Sequence, residues 1–344
     1  MISQISGNDS TQPRFSFIVP VYNREDEVRD LLESLLTQTD KNFEVVIVED
    51  GSTLRCEEVC REAKSKGLDV RYFYKDNEGR SIARNVGMEH ARGDYFIFVD
   101  SDCVIPQDYV AKVSARLDAN PLDCYGGPDA AHSSFTTTQK AINFAMTSFI
   151  TTGGIRGGKR SMEKFTPRTF NMGFSRRVYE KVGGFREMFS EDIDMSKRIE
   201  AAGFTIGLIA DAPVWHKRRV NFGKFFRQVH VFGMSRITLK LLYPDSLKVV
   251  HALPALAVLM ALVVVLLGIF VSPWWFILPA IYMLAVFMLA FGASRSLTVA
   301  FLAVPASVIQ IVGYGTGFIR AWWTKMLLGR GRDINEEIAI RKGK

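Results

Sequence analysis

Hydrophobic and polar positions alternate regularly through the first hundred residues. Short apolar runs with the length of buried strands lie at residues 15–20, 43–48, 70–74 and 94–99. Between them, residues 25–39, a segment ending near residue 66 and residues 81–90 place apolar side chains at helical spacing. Strands that alternate with helices in this way form right-handed βαβ units. The pattern predicts an α/β fold of Rossmann-like type with a mostly parallel sheet.

Polar clusters follow three of these runs at the point where each run ends. The clusters are residues 22–24, 49–51 and 100–102. Sheets of this kind bind their ligands beyond the carboxyl ends of the strands. The coincidence of three polar clusters at strand ends therefore predicts a ligand site along that edge.

Beyond residue 120 the alternation becomes looser. Residues 135–152, 178–184 and 191–203 have helical patterns, and the last of these ends at a glycine. Residues 152–159 are rich in glycine, but their spacing differs from the phosphate-binding GxxxxGK[ST] pattern. We predict a mobile loop there rather than a nucleotide cradle.

Three apolar stretches close the sequence, at residues 249–271, 273–293 and 297–323. Each is long enough to cross a hydrocarbon core of roughly 30 Å. Residues 222–242 mix aromatic and basic side chains, which is typical of an amphipathic helix in the membrane interface. Three crossings from a cytoplasmic start would leave the tail outside, yet the basic residues of the tail favour the cytoplasm. The sequence leaves the number of crossings open.

Charge and cysteine content narrow the classes of partner and compartment. The net charge is +7, and basic residues concentrate in residues 217–248, which predicts contact with anionic lipid headgroups or a diphosphate. We expect no nucleic-acid partner. The four cysteines fit neither a zinc nor a disulfide spacing, so we expect reduced thiols. Residues 1–14 are polar and carry no signal-peptide pattern, which predicts a domain that stays on the cytoplasmic side.

Paired carboxylates at a strand end predict a metal site. Asp100 and Asp102 follow a strongly apolar run, and two such carboxylates repel each other unless a cation lies between them. Mg²⁺ or Mn²⁺ is the natural partner and would neutralise a diphosphate leaving group. His216 could complete the metal shell, with a purely structural role as the alternative, while Arg218 and Arg219 beside it hold phosphates.

A second group of acids opens a predicted helix. Glu191, Asp192 and Asp194 lie in its first turn, where the helix dipole favours one or two acids without any function. A carboxylate in such a position can also act as a general base that takes the proton of an acceptor hydroxyl. Asp192 is the candidate base, with Glu191 or Asp194 as second choice. Glycines in the preceding blocks 170–174 and 183–185 would let a sugar approach the backbone.

Taken in order, these motifs resemble family 2 of the glycosyltransferases, which has the glycosyltransferase A fold. The motifs are Ile18-Val-Pro-Val-Tyr-Asn23, Val48-Glu-Asp-Gly-Ser52, Asn77-Glu-Gly79 with Ala83-Arg84-Asn85, Gly93-Asp-Tyr-Phe-Ile-Phe-Val-Asp100-Ser-Asp102, Asn171-Met-Gly173, Glu191-Asp192 and Trp215-His216. They cover about residues 15–219. Each motif is weak alone, whereas the ordered set is specific.

The resemblance implies roles for particular residues. Pro20, Tyr22 and Asp50 would hold the nucleotide base, and Asp50 matches the position that contacts a uracil edge, which favours a UDP-sugar. Arg84 and Asn85 would lie near the nucleotide or its phosphates. Asp100 and Asp102 match the metal motif, and Asp192 matches the catalytic base. Further donor contacts are expected from the motif residues Asn23, Ser101, Asn171 and Gly173.

The apolar runs, the charge distribution and the motifs together predict an organisation for the whole chain. We expect a disordered N-terminus (1–14), a cytoplasmic catalytic domain (15–220), basic interfacial helices (221–248), about three transmembrane segments (249–323) and a basic tail (324–344). The catalytic domain would combine a nucleotide-sugar half (about 15–120) with an acceptor half (about 121–220). We therefore expect a multi-pass protein of the inner membrane, with its catalytic domain facing the cytoplasm.

The predicted activity is inverting transfer of one sugar from a nucleotide diphosphate sugar to a lipid-linked or membrane-proximal saccharide. Other glycan-assembly enzymes are candidate partners. A processive polysaccharide synthase is one alternative. Processive members carry a Gln-x-x-Arg-Trp motif, however, and the residues that follow Gln228 do not complete it. A nucleotidyltransferase would need a glycine-rich basic loop after the first strand, and residues 21–25 contain no glycine. A membrane scaffold with a retired transferase domain is the non-enzymatic alternative.

Overall fold

A computed structural model describes residues 12–130, 135–153, 165–216 and 221–330. These residues form two compact units, one drawn from residues 1–132 and 165–217 and the other from residues 133–164 and 218–344. Three parts of the earlier predictions lie outside the described residues. They are the donor contacts Arg218 and Arg219, most of the glycine-rich loop and most of the basic tail.

The strands and helices are as follows, in chain order. The strands are β1 (Phe15–Val21), β2 (Phe43–Asp50), β3 (Val70–Lys75), β4 (Tyr95–Phe98), β5 (Cys103–Val104), β6 (Cys124–Gly126), β7 (Asp129–Ala130), β8 (Met172–Ser175), β9 (Ile206–Leu208) and β10 (Val214–His216). The helices are α1 (Glu25–Leu36), α2 (Glu57–Ser65), α3 (Arg80–His90), α4 (Tyr109–Ala119), α5 (Thr137–Thr147), α6 (Phe149–Thr152), α7 (Arg176–Val182), α8 (Glu191–Ala201), α9 (Phe222–Leu242), α10 (Val249–Phe270), α11 (Ile277–Ser294) and α12 (Leu297–Ala321).

A seven-stranded sheet with the order β3-β2-β1-β4-β8-β6-β9 organises the first unit. Strands β3, β2, β1 and β4 run parallel, and β8 is antiparallel to both β4 and β6. Core clusters lie on both faces of the sheet. Burial on both faces explains why β1 and β2 are continuous apolar runs without strict alternation. The predicted α/β fold with a mostly parallel sheet is confirmed.

The central strand supplies side chains to both core clusters. On β1, Phe17 and Val19 join the cluster that includes Leu31 of α1, whereas Ile18 joins the cluster that includes Met88 of α3. Successive side chains of a strand point to opposite faces, so a run of apolar residues fits only a strand that is covered on both sides. The loops at the carboxyl end of this sheet are therefore held by a rigid core.

Three short strands of this sheet, β6, β8 and β9, were not predicted. The block 170–174, expected to admit a sugar to the backbone, instead contributes β8 to the middle of the sheet. A Cβ at Gly173 would lie 2.4 Å from the ring of Tyr125, so this glycine allows the strand to pack. Strands of two to four residues are too short for their periodicity to be recognised.

Residues 133–164 also group differently from the predicted acceptor half. They contain α5 and α6, and α5 packs on α12 in the second unit. The predicted helix at 135–152 is present but is divided at Ser148, whose backbone is extended. Small residues of α12, Ala300 and Ala303, share a cluster with Ala141 of α5, which brings the two helices together.

Helix α12 is the centre of the second unit, because α5, α9, α10 and α11 all pack on it. The predicted helix at residues 222–242 is present as α9 and lies against α12. Glycines make this approach possible. A Cβ at Gly233 would lie 2.0 Å from the carbonyl oxygen of Tyr314, and one at Gly317 would lie 2.0 Å from that of His230. Small residues at matching positions let helix backbones pack closely.

Replacing Gly317 with alanine should therefore destabilise the second unit. The added methyl group meets a backbone carbonyl, so the helices must separate, and we expect a loss of about 1–3 kcal/mol. The unfolding midpoint of the full chain in detergent micelles measures it. Gly292→Ala is the matched control, since nothing lies within 4 Å of a Cβ at that helical position. Equal midpoints for the two variants would contradict the close α9–α12 contact.

Candidate functional site

The carboxyl ends of the parallel strands carry the predicted polar clusters, as expected. Asp50 ends β2, Asp100 and Asp102 follow β4, and α3 begins just after β3. A second sheet, of order β5-β10-β7, adds a further group to this region. Its register places His216 of β10 opposite Cys103 of β5.

His216 and Asp102 form an ion pair in this second sheet. The His216 Nε2 atom lies 3.1 Å from Asp102 Oδ1, and the imidazole ring stacks on Phe170 with 5.0 Å between ring centroids. Burial alone would lower the pKa of His216, but the carboxylates of Asp102, Asp129 and Asp100 outweigh it and raise the pKa above its usual value. The predicted association of His216 with the paired aspartates is therefore present in the geometry.

Cys103 is the third member of this cluster. Ligand atoms of Asp102, Cys103 and His216 all lie within 4.8 Å of one another. A thiol is a soft ligand that suits zinc or copper better than Mg²⁺ or Mn²⁺. The carboxylate of Asp102 is the kind of donor that Mn²⁺ prefers, and the imidazole of His216 lies beside it. The donor set fits the predicted metal.

Asp100 is the first of four side chains of alternating charge that are joined by hydrogen bonds. Its Oδ1 atom accepts a hydrogen bond of 2.7 Å from Arg84, and Arg84 donates at 3.0 Å to Glu191 of α8. Arg80 donates to the other oxygen of Glu191 at 2.8 Å. The Arg84 side chain is 1% exposed. One buried guanidinium thus joins the metal-motif loop to the helix that carries the candidate base.

The three acids at the start of α8 differ in their surroundings. Burial would raise the pKa of Glu191, but Arg80 and Arg84 outweigh it and lower the pKa, so Glu191 is an ionised anchor. Asp194 is fully buried and is paired with Arg186 and Arg198. These contacts favour structural roles for the two second-choice bases.

Asp192 makes weaker ion pairs than its neighbours Glu191 and Asp194. Its carboxylate accepts the backbone N–H of Ile193 at 2.8 Å and has a longer contact of 3.5 Å with Arg168. The side chain is 16% exposed, compared with 2% for Glu191. A carboxylate that is partly exposed and weakly paired can accept a proton from a bound hydroxyl. Of the three acids, Asp192 has the carboxylate that is most accessible and least firmly paired, and its role as the base stays a prediction.

Asp50, the predicted contact of the nucleotide base, has a defined role in the fold. Its carboxylate accepts hydrogen bonds from Lys75 Nζ and from the backbone N–H groups of Glu78 and Gly79. Burial would lower the pKa of Lys75, and the hydrogen bonds to Asp50 and Glu78 outweigh it and raise the pKa. Asp50 thus ties the end of β2 to the start of α3, and a carboxylate can still accept another donor.

Three other predicted donor contacts use their polar side-chain atoms within the fold. Asn23 accepts from the backbone N–H groups of residues 53 and 54, and Asn85 exchanges two hydrogen bonds with the backbone of Phe185. Asn171 accepts from the hydroxyl of Tyr109 and donates to the carbonyl of Ala212. These hydrogen bonds and the close packing of Gly173 hold the loops and strands around the site in place. Tyr22 is half-exposed, Pro20 is partly exposed and Ser101 is buried.

Several residues of the site had no signal in the sequence. Arg80 and Arg168 contact Glu191 and Asp192, and Glu187 accepts the N–H of Ser81 at the start of α3. These partners are separated by 24 to 111 positions. Contacts of this kind depend on the fold, so only the position of Arg80 beside the Asn77-Glu-Gly79 motif could have drawn attention to it.

Comparisons with known proteins point to glycosyltransferases. Residues 16–183 match the sequence profile described as Glycosyl transferase family 2. Glycosyltransferase GlyA of Streptococcus pneumoniae serotype 4 is 46% identical over 104 residues, which are 30% of this chain and 15% of GlyA. The match therefore spans only a small part of the length of that relative. Glycosyltransferase AglE of Haloferax volcanii is 27% identical over 260 residues, covering 71% of this chain and 80% of AglE.

One solved structure shares the fold. The mannosyltransferase PcManGT from Pyrobaculum calidifontis, in complex with GDP-Man and Mn²⁺, superposes with a TM-score of 0.55 at 17% sequence identity. The superposition covers 95% of this chain and 90% of that one. Together with the sheet order, this similarity confirms the predicted glycosyltransferase A fold.

Replacing Arg84 with methionine should damage the site and the fold together. Glu191 would keep one guanidinium partner while remaining buried, and Asp100 would lose its partner, so we expect a loss of about 3–5 kcal/mol. Thermal unfolding of the full chain measures the loss. Arg177→Met is the matched control, because Arg177 is 73% exposed and pairs with Asp123 at the surface. An Arg84 variant as stable as this control would contradict the anchoring role.

Proposed function

We propose that this chain, whose residues 16–183 are a family 2 glycosyltransferase domain, transfers a single sugar from a nucleotide diphosphate sugar with inversion. One observation carries the proposal. Arg84 holds Asp100, two positions from the candidate metal ligand Asp102, and also Glu191, the neighbour of the candidate base Asp192. The buried side chain of Arg84 thus connects the loop that carries the candidate metal ligand, which would assist departure of the diphosphate, with the helix that carries the candidate base for the attacking hydroxyl.

The residues of the chain divide the work of the reaction. Asp192 accepts the proton of the acceptor hydroxyl while that oxygen attacks the anomeric carbon from the side opposite the diphosphate. The C–O bond to the diphosphate breaks as the new C–O bond forms, so the configuration at the anomeric carbon inverts. Glu191 stays ionised between Arg80 and Arg84 and keeps α8 in place.

Asp102 and His216 would hold the divalent metal, and Asp100 would add the carboxylate oxygen that Arg84 does not contact. Mn²⁺ or Mg²⁺ supplies charge to the departing diphosphate when bound. His216 must be neutral to bind a metal ion, and Phe170 fixes the orientation of its ring by stacking. The related fold of PcManGT was solved with Mn²⁺ and GDP-Man, which supports a metal and a nucleotide sugar here.

For the donor we propose a UDP-sugar, with Asp50 as the contact to the base. GDP, dTDP and polyprenyl-phosphate sugars are the competing donors. A thermal-shift screen of nucleotide sugars with Mn²⁺ separates them, because a ligand that binds the folded state raises its stability in proportion to affinity.

The acceptor is proposed to be a lipid-linked or membrane-proximal saccharide. Three helices, Val249–Phe270, Pro273–Ser294 and Leu297–Leu327, are long and apolar enough to cross a membrane. A domain tethered to a membrane meets lipid-borne acceptors at a high effective concentration. We place the chain in the inner membrane with its catalytic domain towards the cytoplasm, alongside other glycan-assembly enzymes. A processive synthase would differ by making long products, and a scaffold would bind no nucleotide sugar.

Asp192→Asn should abolish transfer and leave donor binding nearly intact. Loss of a general base reduces the rate by about 10²–10⁴-fold, which radiolabelled sugar transfer to a membrane fraction measures. Asp118→Asn is the matched control, since Asp118 pairs with Arg14 at the surface. An Asp192 variant with full transfer activity would exclude this residue as the base.

Removal of the metal or of its ligands should weaken nucleotide binding. EDTA should stop transfer, and Asp102→Asn or His216→Gln should lose the Mn²⁺-dependent stabilisation by UDP in a thermal-shift assay. Cys103→Ala should keep that stabilisation, because Mn²⁺ prefers oxygen ligands to a soft thiol. If transfer continues in EDTA, the metal role is wrong.

A further inference from the structure

The three apolar helices of the second unit differ in how much of each is covered by protein. The most apolar window of α10 and that of α11 are each 11% buried, whereas the corresponding window of α12 is 39% buried. Side chains all around α10 are exposed, among them Leu253, Met260 and Ile269. Helices that present apolar side chains on every face are suited to a lipid environment on every face.

The start of α12 packs on the end of α11. Val286 and Ala290 of α11 share a cluster with Val299, Ala300 and Ala303 of α12. The connection between the two helices consists of Arg295 and Ser296 alone. A helix that then crossed the bilayer would run back along α11 towards the connection between α10 and α11, near residue 272.

The second half of α12 packs at a different place. A Cβ at Gly315 would lie 2.6 Å from the carbonyl oxygen of Pro254 and 2.7 Å from Val258. Phe318 and Ala321 share a cluster with Ala255. These residues belong to the first three turns of α10, whose other end leads to α11. Helix α12 therefore connects the last turns of α11 with the first turns of α10.

The distance along α12 shows that these contacts are far apart. Ala300 and Gly315 are separated by about 22 Å of helix, at 1.5 Å per residue. Helices α10 and α11 follow each other in the chain as a helical hairpin, although they do not pack side by side. If each of them spans the bilayer, the start of α10 and the end of α11 lie on the same side, and both contact points belong to that side. An axis that joins two points on one side of a hairpin lies across it rather than along it.

Helix α9 lies beside the second half of α12 and runs in the same direction. Gly313 approaches Val229, Gly317 approaches His230, and Lys325 donates to Thr238 at 2.8 Å. The partners keep a nearly constant separation in sequence, as expected for parallel helices. Helix α9 then leads to α10 through the turn Pro244–Ser246. The two helices form a layer at the end of the hairpin where α10 begins.

We propose that the chain crosses the membrane twice, through α10 and α11, and that α12 lies with α9 in the plane of the membrane interface. The end of α12 is then on the same side as the start of α10. The surface that α12 and α9 present is a lipid-binding surface, and its partner is the bilayer.

The distribution of charge agrees with two crossings. Between Lys248 and Arg295 the sequence has no Asp, Glu, Lys or Arg. These two basic residues flank the hairpin at its α12 end, whereas the opposite connection carries the exposed Trp274 and the partly exposed Trp275. Basic residues favour the cytoplasmic side and tryptophans favour the interface. After two crossings the chain returns to the side on which it started. The basic tail then lies on the cytoplasmic side, which its charge favours.

The exposed side chains of α12 agree as well. Leu297, Phe301, Val308 and Val312 form an exposed apolar stripe along one side of the helix. The covered side consists largely of small residues, such as Ala303, Ala306 and Gly313. This helix thus has one apolar face towards lipid and one face of small residues towards protein, which allows it to pack closely on α9 while it contacts the bilayer.

Cysteine labelling of the full chain in bacterial spheroplasts tests the number of crossings. The four native cysteines are buried, so an impermeant maleimide reports only introduced thiols. We expect Ser272→Cys to react in intact spheroplasts, and Ser294→Cys and Leu328→Cys to react only after permeabilisation. Reaction of Leu328→Cys in intact spheroplasts would mean a third crossing and would overturn the proposal. Protection of Ser272→Cys in intact spheroplasts would overturn the hairpin.

Nitroxide depth measurements in anionic liposomes test the orientation of α12. Spin labels at Phe301, Val308 and Val312 should report the same depth within a few ångströms. Residues 301 and 312 are about 16 Å apart along the helix, so a spanning α12 would give a spread of that size and refute the in-plane orientation. Labels at Leu253, Met260 and Ile269 are the control, and they should follow a spanning profile that is deepest at Met260.

Discussion

The buried guanidinium of Arg84 is the interaction on which the site depends. Its charge can be buried only because Glu191 and Asp100 accept its hydrogen bonds from two different parts of the fold. Burial of an ion without such partners is costly. Satisfying Arg84 therefore also determines where the loop after β4 and the first turn of α8 can lie. The sheet supplies the framework, and this charge positions the acids at its edge.

The same constraint separates the roles of acids that look alike in the sequence. Glu191 and Asp194 are bound by arginines and are anchors, whereas Asp192 between them is only loosely held. Asp102 pairs with His216, which a separate small sheet delivers from the far end of the domain. Differences in pairing, more than differences in residue type, distinguish a carboxylate that supports the fold from one that can take part in chemistry.

In the second unit the corresponding constraint is the close approach of helix backbones. Gly233 and Gly317 allow α9 and α12 to pack at distances that a methyl group would prevent. Helix α12 is thereby held by protein along one face, while α10 and α11 remain exposed to their surroundings. All three helices are long and apolar enough to cross a membrane, so packing is the property that reveals how α12 differs in its path.

Sequence alone was sufficient for the parallel half of the sheet, its helices and the apolar C-terminal helices, because periodicity and run length depend on near neighbours. It also placed Asp100, Asp102, Asp192 and His216 in one functional region through ordered motifs. It could not separate motif residues that support the fold, such as Asn171, from those that can meet a ligand. Those distinctions, and the path of α12, depend on contacts between residues far apart in the chain, and only the folded structure brings them together.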